Sequence, residues 1–542
     1  MEQYDESTDL IVLVNVQSLD GSLKELWGQS NFWHRASSLG GRLFAVGPQD
    51  PGSVTHCEWI KAPVELSRLF ESEPERPDVA VLLDAAQVFF DTEIVLAGLK
   101  KFLDRQCDYF TQWEHARLPI GMGARFLRFS RWLSDGLTDQ DQYLAKILRN
   151  PYEFKIGYDE TKYVPDRSYL LDSRYSGDLF DLLNHSKVNN WNLEGFQQFA
   201  TESKLEPSLD EFNGLPAEGV SGFCDERGIS AAFGFEDRRT ARFPTYVMFD
   251  LTNFCNAACV HCPQSVNFLG KEKQTFLALE AFKSVIDECS QYHTDFIRIT
   301  ADGEPLLHPE IWQMLDYAGK HSNARIGLTT NGSALNQANV KKLLNAQIFM
   351  IDISLDAFSK ETFEVIRAGL NFDRVISNVL RLLEFREQNA AANQLKVMVS
   401  FVKQKENEHE EESFVAFWQE KVDRVLIREM ISNVGKNKDH NLASADGLSR
   451  WPCPHWWRRV VINYDGQLKA CPVDWEGGLI NTDISTRTVE EQWHDDFYFD
   501  YRMQHLNNSH KVTSICRDCL DWQGTPWDLG YEKVVAELEK EK

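Results

Sequence analysis

The stretch Cys255-Asn256-Ala257-Ala258-Cys259-Val260-His261-Cys262 sets the tightest limit on what this chain can become. It places three thiols at C-x3-C-x2-C within eight residues. Thiolates are the ligands of iron–sulfur cubes, and a short loop bearing three of them can hold three irons of a [4Fe–4S] cluster. A closed cluster wants four cysteines. Here one iron is left open, as a catalytic metal keeps a position that a structural one fills. Residue chemistry alone leaves a zinc knuckle as the alternative, with His261 offered as fourth ligand between Val260 and Cys262.

The remaining cysteines divide in two. Cys453, Cys471, Cys516 and Cys519 form a second set at C-x17-C-x44-C-x2-C, enough to complete one closed iron–sulfur cluster or an all-cysteine zinc site. Cys57, Cys107, Cys224 and Cys289 are scattered and read as small buried hydrophobes. Met1 to Ser7 is polar and acidic, with no basic run ahead of an apolar one, so a cytoplasmic location is expected. In that compartment grouped cysteines are metal ligands before they are disulfides. The formal net charge of −25 argues against nucleic acid and anionic lipid as partners. The apolar run Leu10–Val14 is far too short to span a membrane.

Around the first cysteine loop the hydrophobic pattern is strand, loop, helix, repeated. Six strands are expected: 246–251, 296–300, 325–330, 350–355, 396–401 and 424–427, with helices between them such as 309–321 and 360–366. Consecutive parallel strands with crossover helices make a barrel or an open sheet whose sites lie at the strand ends. Those ends carry polar residues. Asp302-Gly303-Glu304-Pro305 follows the second strand, Thr329-Thr330-Asn331-Gly332 the third. Ser354 and Asp356 lie at the fourth, and Arg428 with Glu429 closes the sixth. Alternation about Leu355 turns Ser354 and Asp356 to one side.

These residues together resemble the radical S-adenosylmethionine (radical SAM) superfamily. The cysteine loop looks like that family's cluster loop, and Asp302-Gly303-Glu304-Pro305 looks like its Gly-Gly-Glu-Pro element with Asp302 in place of the first glycine. The resemblance implies a partial (β/α)6 TIM-type barrel over 241–440. It also implies that SAM chelates the open iron and is split to a 5′-deoxyadenosyl radical. On it, Gly303, Glu304 and Pro305 meet the SAM ammonium. Thr330 and Asn331 line the site, Ser354 and Asp356 meet the ribose, and Arg428 meets the SAM carboxylate or the substrate. Residues 441–542 resemble the auxiliary-cluster domains called SPASM and Twitch. Two [4Fe–4S] clusters and SAM are thus the implied cofactors, with a flavodoxin or ferredoxin as reductant. The closed cluster is then placed to take an electron from a substrate radical. Seven tryptophans fall in the last hundred residues; packing that excludes water is the preferred reading, and sugar stacking the sharper one.

Residues 1–135 alternate strands (10–16, 42–46, 79–83) with helical stretches such as 91–104, an α/β domain with Asp84 at a strand end. It resembles a degenerate nucleotidyltransferase of the cytidylyltransferase kind. Where that family has a basic, glycine-bearing loop, this chain has Gln17 to Leu23 and no basic residue before Lys24. Residues 136–240 read as a helical and loop connector. The expected activity is a radical SAM oxidoreductase acting on a carbohydrate-type small molecule, a sugar or nucleotide-sugar. A peptide-modifying maturase is the alternative, and a non-catalytic iron–sulfur or zinc scaffold the third.

Overall fold

A computed structural model describes residues 10–15, 30–47, 57–61, 78–84, 88–112, 122–129, 154–159, 190–203, 243–263, 273–389, 394–430, 452–506 and 514–519, apart from positions 293 and 301, with a few single positions besides. Gln17 to Lys24, Leu118 to Gly121, the polar stretches 184–187 and 214–219, Cys224, Trp451, Trp522 and Trp527 lie outside the described residues, as do the side chains of Asp84 and Glu429. The chain divides into two units, Met1–Arg242 with Met503–Ser509, and Phe243–Arg502 with His510–Lys542.

The first unit is built on a seven-stranded mixed sheet. Its strands are β1 (Leu10–Asn15), β2 (Arg42–Gly47), β3 (Cys57–Lys61), β4 (Val79–Asp84), β5 (Tyr109–Thr111), β6 (Arg125–Arg128) and β7 (Ile156–Tyr158). The order is β3-β2-β1-β4-β6-β5-β7. β1, β2, β3 and β4 are mutually parallel, and β6 runs antiparallel between β4 and β5. Residues Ile11 to Val14 and Val79 to Val81 are fully buried, which is why these strands read as continuous apolar runs rather than alternating ones. The helix Thr92–Asp104 is capped by Asp91, whose carboxylate accepts from the backbone of Glu93 and Ile94. β7 and the helix Leu193–Glu202 come from the 136–240 segment. β7 pairs with β5, and Phe196 and Phe199 of that helix join the core around Phe89.

The second unit holds one nine-stranded sheet. Six parallel strands, β8 (Tyr246–Asp250), β9 (Phe296–Thr300), β10 (Arg325–Thr330), β11 (Met350–Ser354), β12 (Lys396–Lys403) and β13 (Arg424–Glu429), follow in order with crossover helices, a partial (β/α)6 barrel. On the far side of β8 the sheet continues through β14 (Arg459–Ile462), parallel to it, into the antiparallel β15 (Gln467–Lys469) and β16 (Ile480–Asp483). Between β14 and β15 only Gly466 takes positive φ (+80°), and its N donates to Asn463 O at 2.9 Å, so the hairpin closes through a type I turn with a glycine bulge rather than the primed turn that an Asp-Gly pair favours. Pairing β14 to β8 therefore joins the hairpin that leads into Cys471 to the strand that leads into Cys255.

The amino ends of the barrel strands are closed by the chain's last described residues. Val535 and Leu538 pack with Tyr246, Phe296, Met350 and Met398, and Glu537 pairs with Arg424 at 2.9 Å. Among the described residues no helix is long and apolar enough to cross a membrane.

Candidate active site

The first cysteine loop leaves the carboxyl end of β8 and is pinned from three directions. Gly303 N donates to Thr252 O at 2.9 Å and Glu304 N to Phe254 O at 2.8 Å, so the chain after β9 runs along the approach to Cys255. Ala258 N and Val260 N donate to Ala368 O and Ile366 O at 2.7 and 3.0 Å, fastening the loop to the turn after the helix Lys360–Ile366. Asn256 closes the third side. It accepts from Asn331 Nδ2 at 3.0 Å and donates to Ser333 Oγ at 2.9 Å.

Gly303 has no alternative at its position. A Cβ there would sit 2.1 Å from the backbone oxygen of Phe254, and backbone cannot swing aside. Gly303→Ala is expected to part the 303–304 segment from the cysteine loop and cost about 1–3 kcal/mol. Iron content after reconstitution and the unfolding midpoint measure this; wild-type values for both would show that the close approach is not needed.

Glu304 is buried and fully engaged: Thr330 Oγ1 donates at 2.6 Å, Asn331 N at 2.8 Å and Leu306 N at 3.1 Å. Burial pushes its carboxyl up, against the pull of Thr330 and Asn331. It braces the Thr330-Asn331 turn, which Asn378 secures from behind through Gly332 O and Ser333 O. Pro305 opens the short 3-10 turn that follows. Ser354 ends β11, partly buried. Arg428 reaches Asp352 at 2.9 Å, and Arg298 approaches the same carboxylate at 3.6 Å, a charged group inside the barrel.

Asp356 departs from the expected alternation. The strand stops at Ser354, and Asp356 takes φ +58°, so its side chain does not continue the pleat. The carboxylate is wholly buried, pairs with Arg367, accepts from Val402 N at 2.8 Å, and lies 3.7 Å from His261 Nε2. Through Arg367 and His261 it ties the end of β11 to the cysteine loop. His261, offered as a fourth ligand by its place in the loop, is turned toward Asp356.

Sequence reasoning missed Arg367. Its guanidinium bridges Asp356 and Cys259, donating to Cys259 Sγ at 3.6 Å. The separation of 108 residues left no local signal. Burial alone would lower its pKa, but Asp356 and then Cys259 beside it more than reverse that.

The second cysteine set gathers around the β14–β15 hairpin. Cys453, Cys471, Cys516 and Cys519 lie close enough to oppose one another's ionisation. Burial pushes Cys453 up to about 12 and Cys471 well above its usual range, and the neighbouring sulfurs add to both. His455 Nδ1 lies 3.8 Å from Cys471 Sγ, and burial, with Arg459 nearby, keeps the ring neutral. In the first loop, burial pushes Cys255 up to about 12, with Glu304, Cys259 and Cys262 adding to it. Cys107 and Cys289 are buried hydrophobes as expected, and Cys57 is partly buried.

This is the donor chemistry an iron–sulfur group fits. All seven thiols are free of disulfides, and within each set the sulfurs lie close enough to oppose one another's ionisation. Among the described residues no three His, Cys, Asp or Glu side chains converge as closely as a single metal ion requires, so the fit rests on donor type and number. The buried Trp456, Trp457 and Trp493 pack around this region, Trp456 stacked on Tyr501 at 4.5 Å and Trp493 under the Arg502 guanidinium at 4.3 Å. Those rings serve as packing and have no open face for a sugar.

A sequence profile of the radical SAM superfamily matches residues 249–413, and one of an iron–sulfur cluster-binding domain, SPASM, matches 453–520. The chain carries a radical SAM domain followed by a SPASM domain. These domains imply SAM and two [4Fe–4S] clusters, one of the radical SAM kind and one auxiliary. Mycofactocin maturase MftC of Mycobacterium tuberculosis (strain CDC 1551 / Oshkosh) is 31% identical over 133 residues, 24% of this chain and 33% of that protein. AdoMet-dependent heme synthase of Methanosarcina barkeri (strain Fusaro / DSM 804) is 30% identical over 145 residues, 26% of this chain and 40% of that protein. The chain spans about a third of the length of the mycofactocin maturases it matches. Among solved structures, Streptococcus suis SuiB bound to S-adenosylmethionine aligns over 67% of this chain and 85% of its own, at 13% identity and a TM-score of 0.42.

Proposed function

We propose that Cys255, Cys259 and Cys262 hold the cluster that binds SAM, and that Cys453, Cys471, Cys516 and Cys519 hold the auxiliary one. When bound, the first group supplies reductive cleavage of SAM to a 5′-deoxyadenosyl radical that removes hydrogen from a substrate carbon. The chain's own residues do the rest. Glu304, through Thr330 and Asn331, fixes the loop that presents Gly303 and the open iron position. Asp356 and Arg367 fix Cys259 from the opposite side, and the buried tryptophans keep water from the second set. The observation that carries this reading is the free, mutually opposed thiols of the two sets, the first following β8 and the second gathered around the hairpin whose β14 pairs with β8. A closed auxiliary cluster beside the barrel suits an oxidation, in which the substrate radical gives up a second electron.

The first substrate class is a carbohydrate-type metabolite. Its support is the separate α/β unit. There β1 has β2 on one side and β4 on the other, a reversal of strand order at whose carboxyl ends such sheets bind small molecules; Asn15 and Asp84 stand there. A peptide is the second class, and the likeness to mycofactocin maturase favours it. The deciding experiment reconstitutes the chain with iron and sulfide without oxygen, adds dithionite and SAM, and counts iron and 5′-deoxyadenosine. About eight irons per chain with steady 5′-deoxyadenosine release supports the reading; zinc without SAM cleavage overturns it. The same assay, run with sugars, nucleotide-sugars and peptides, separates the substrate classes by which of them accelerates 5′-deoxyadenosine release.

A further inference from the structure

Arg367 is the one buried cation seen to touch a cysteine sulfur of the first loop among the described contacts. Its Nη1 donates to Cys259 Sγ, its Nη2 to Asp356, and its Nε has no partner among the described residues. Asp356 is itself fixed by Val402 N and by Asn407, which donates to the Asp356 carbonyl at 2.8 Å. The guanidinium is therefore held against the sulfur by a rigid anion rather than by solvent. At the second set His455 Nδ1 lies 3.8 Å from Cys471 Sγ, and Arg459 acts on Cys453.

We propose that Arg367 sets the reduction potential of the cluster on Cys255, Cys259 and Cys262, raising it so that the cluster takes an electron more readily. This rests on the function proposed above. Hydrogen bonds and net charge at the sulfurs are among the levers that place cluster potentials. A donor carrying positive charge stabilises the state with one more electron. Asp356 offsets the cost of burying that charge, and because Nη1 itself donates to Cys259 Sγ while Asp356 is held by Nη2, the charge in contact with Cys259 is the positive one. Arg367 is thus a positioning and tuning residue, not one that touches substrate.

The test is an EPR-monitored redox titration of the reconstituted full-length chain, with the first cluster recognised by the change SAM makes to its signal. Arg367→Gln with Asp356→Asn removes the charge pair and keeps hydrogen-bonding groups in place; Arg367→Lys keeps a charge and loses the fork. At a fixed potential the reduced-to-oxidised ratio of the first cluster is expected to fall about tenfold in the double variant, which is 59 mV for one electron. The lysine variant is expected to recover most of it, and the auxiliary signal to stay put. An unchanged midpoint with full iron in both variants overturns the proposal. If the double variant loses iron, Arg367→Gln alone decides: a fall in the first cluster's midpoint with the auxiliary signal unmoved supports a charge effect, and a wild-type midpoint with full iron overturns it. Failure of the site reading itself looks different: Cys255→Ala would then keep all its iron.

Discussion

Cys255→Ala is expected to lose the iron of one cluster and all SAM cleavage, while Cys453→Ala loses a similar amount of iron and goes on cleaving SAM. The first substitution leaves the C-x3-C-x2-C loop two thiols, too few to hold a cube with an open iron. The second leaves that loop intact, with its braces from Glu304, Asn331 and Arg367 unchanged. About eight irons per chain should become about four in each case, one cube of the pair. The two variants then part: 5′-deoxyadenosine without substrate persists only in Cys453→Ala, and product formation is lost in both. Iron analysis and chromatographic counting of 5′-deoxyadenosine read the two quantities separately. SAM cleavage surviving in Cys255→Ala, or vanishing equally in both, would remove the division of labour between the sets.

The sequence made the barrel legible because its strands are buried on both faces and stand out as short apolar runs. β9 and β10 run over 296–300 and 325–330, as their pattern predicts. The cysteine loop was legible for a similar reason, since it is local. What was not legible depends on partners far apart in the chain. Asp356 was expected to follow the strand's alternation, but the strand ends two residues earlier and the backbone turns left-handed. Arg367 reaches a sulfur 108 positions away. The spacing of Val534, Val535 and Leu538 suggests one helical face, yet nothing local says that this face closes the barrel's amino end. The identity of Asp302, a departure from the family's glycine, also had no local explanation, and its explanation is electrostatic.

Lys469→Met is expected to be the most destabilising single substitution in the barrel unit, by about 3–5 kcal/mol, because it strands buried charge. Lys469, on β15, is 3% exposed and lies between two barrel carboxylates, 2.9 Å from Asp250 and 3.5 Å from Asp302. Those carboxylates end β8 and follow β9, so the lysine ties the hairpin bearing Cys471 to the strand ends that carry the first cysteine loop and Gly303. Burial and then Asp250 push the Asp302 carboxyl up to about 7, with Lys469 pulling it back. A carboxyl whose folded pKa is raised binds its proton more tightly in the native state. Its contribution is fully present below the unfolded value near 4 and is lost as pH rises through about 7. Without Lys469 the two carboxylates face each other alone, and protonation becomes the main relief. The loss in Lys469→Met should therefore be larger at pH 8.5 than at pH 5.5, and Asp302→Asn added to it should recover much of the difference. Denaturant unfolding at the two pH values measures this. An equal loss at both would mean that Lys469 matters for packing against Trp475, whose ring lies 5.8 Å from its Nζ, rather than for charge. Under the charge reading Asp302 is the lysine's second counterion, and a glycine in its place would leave Lys469 with the Asp250 contact of the two.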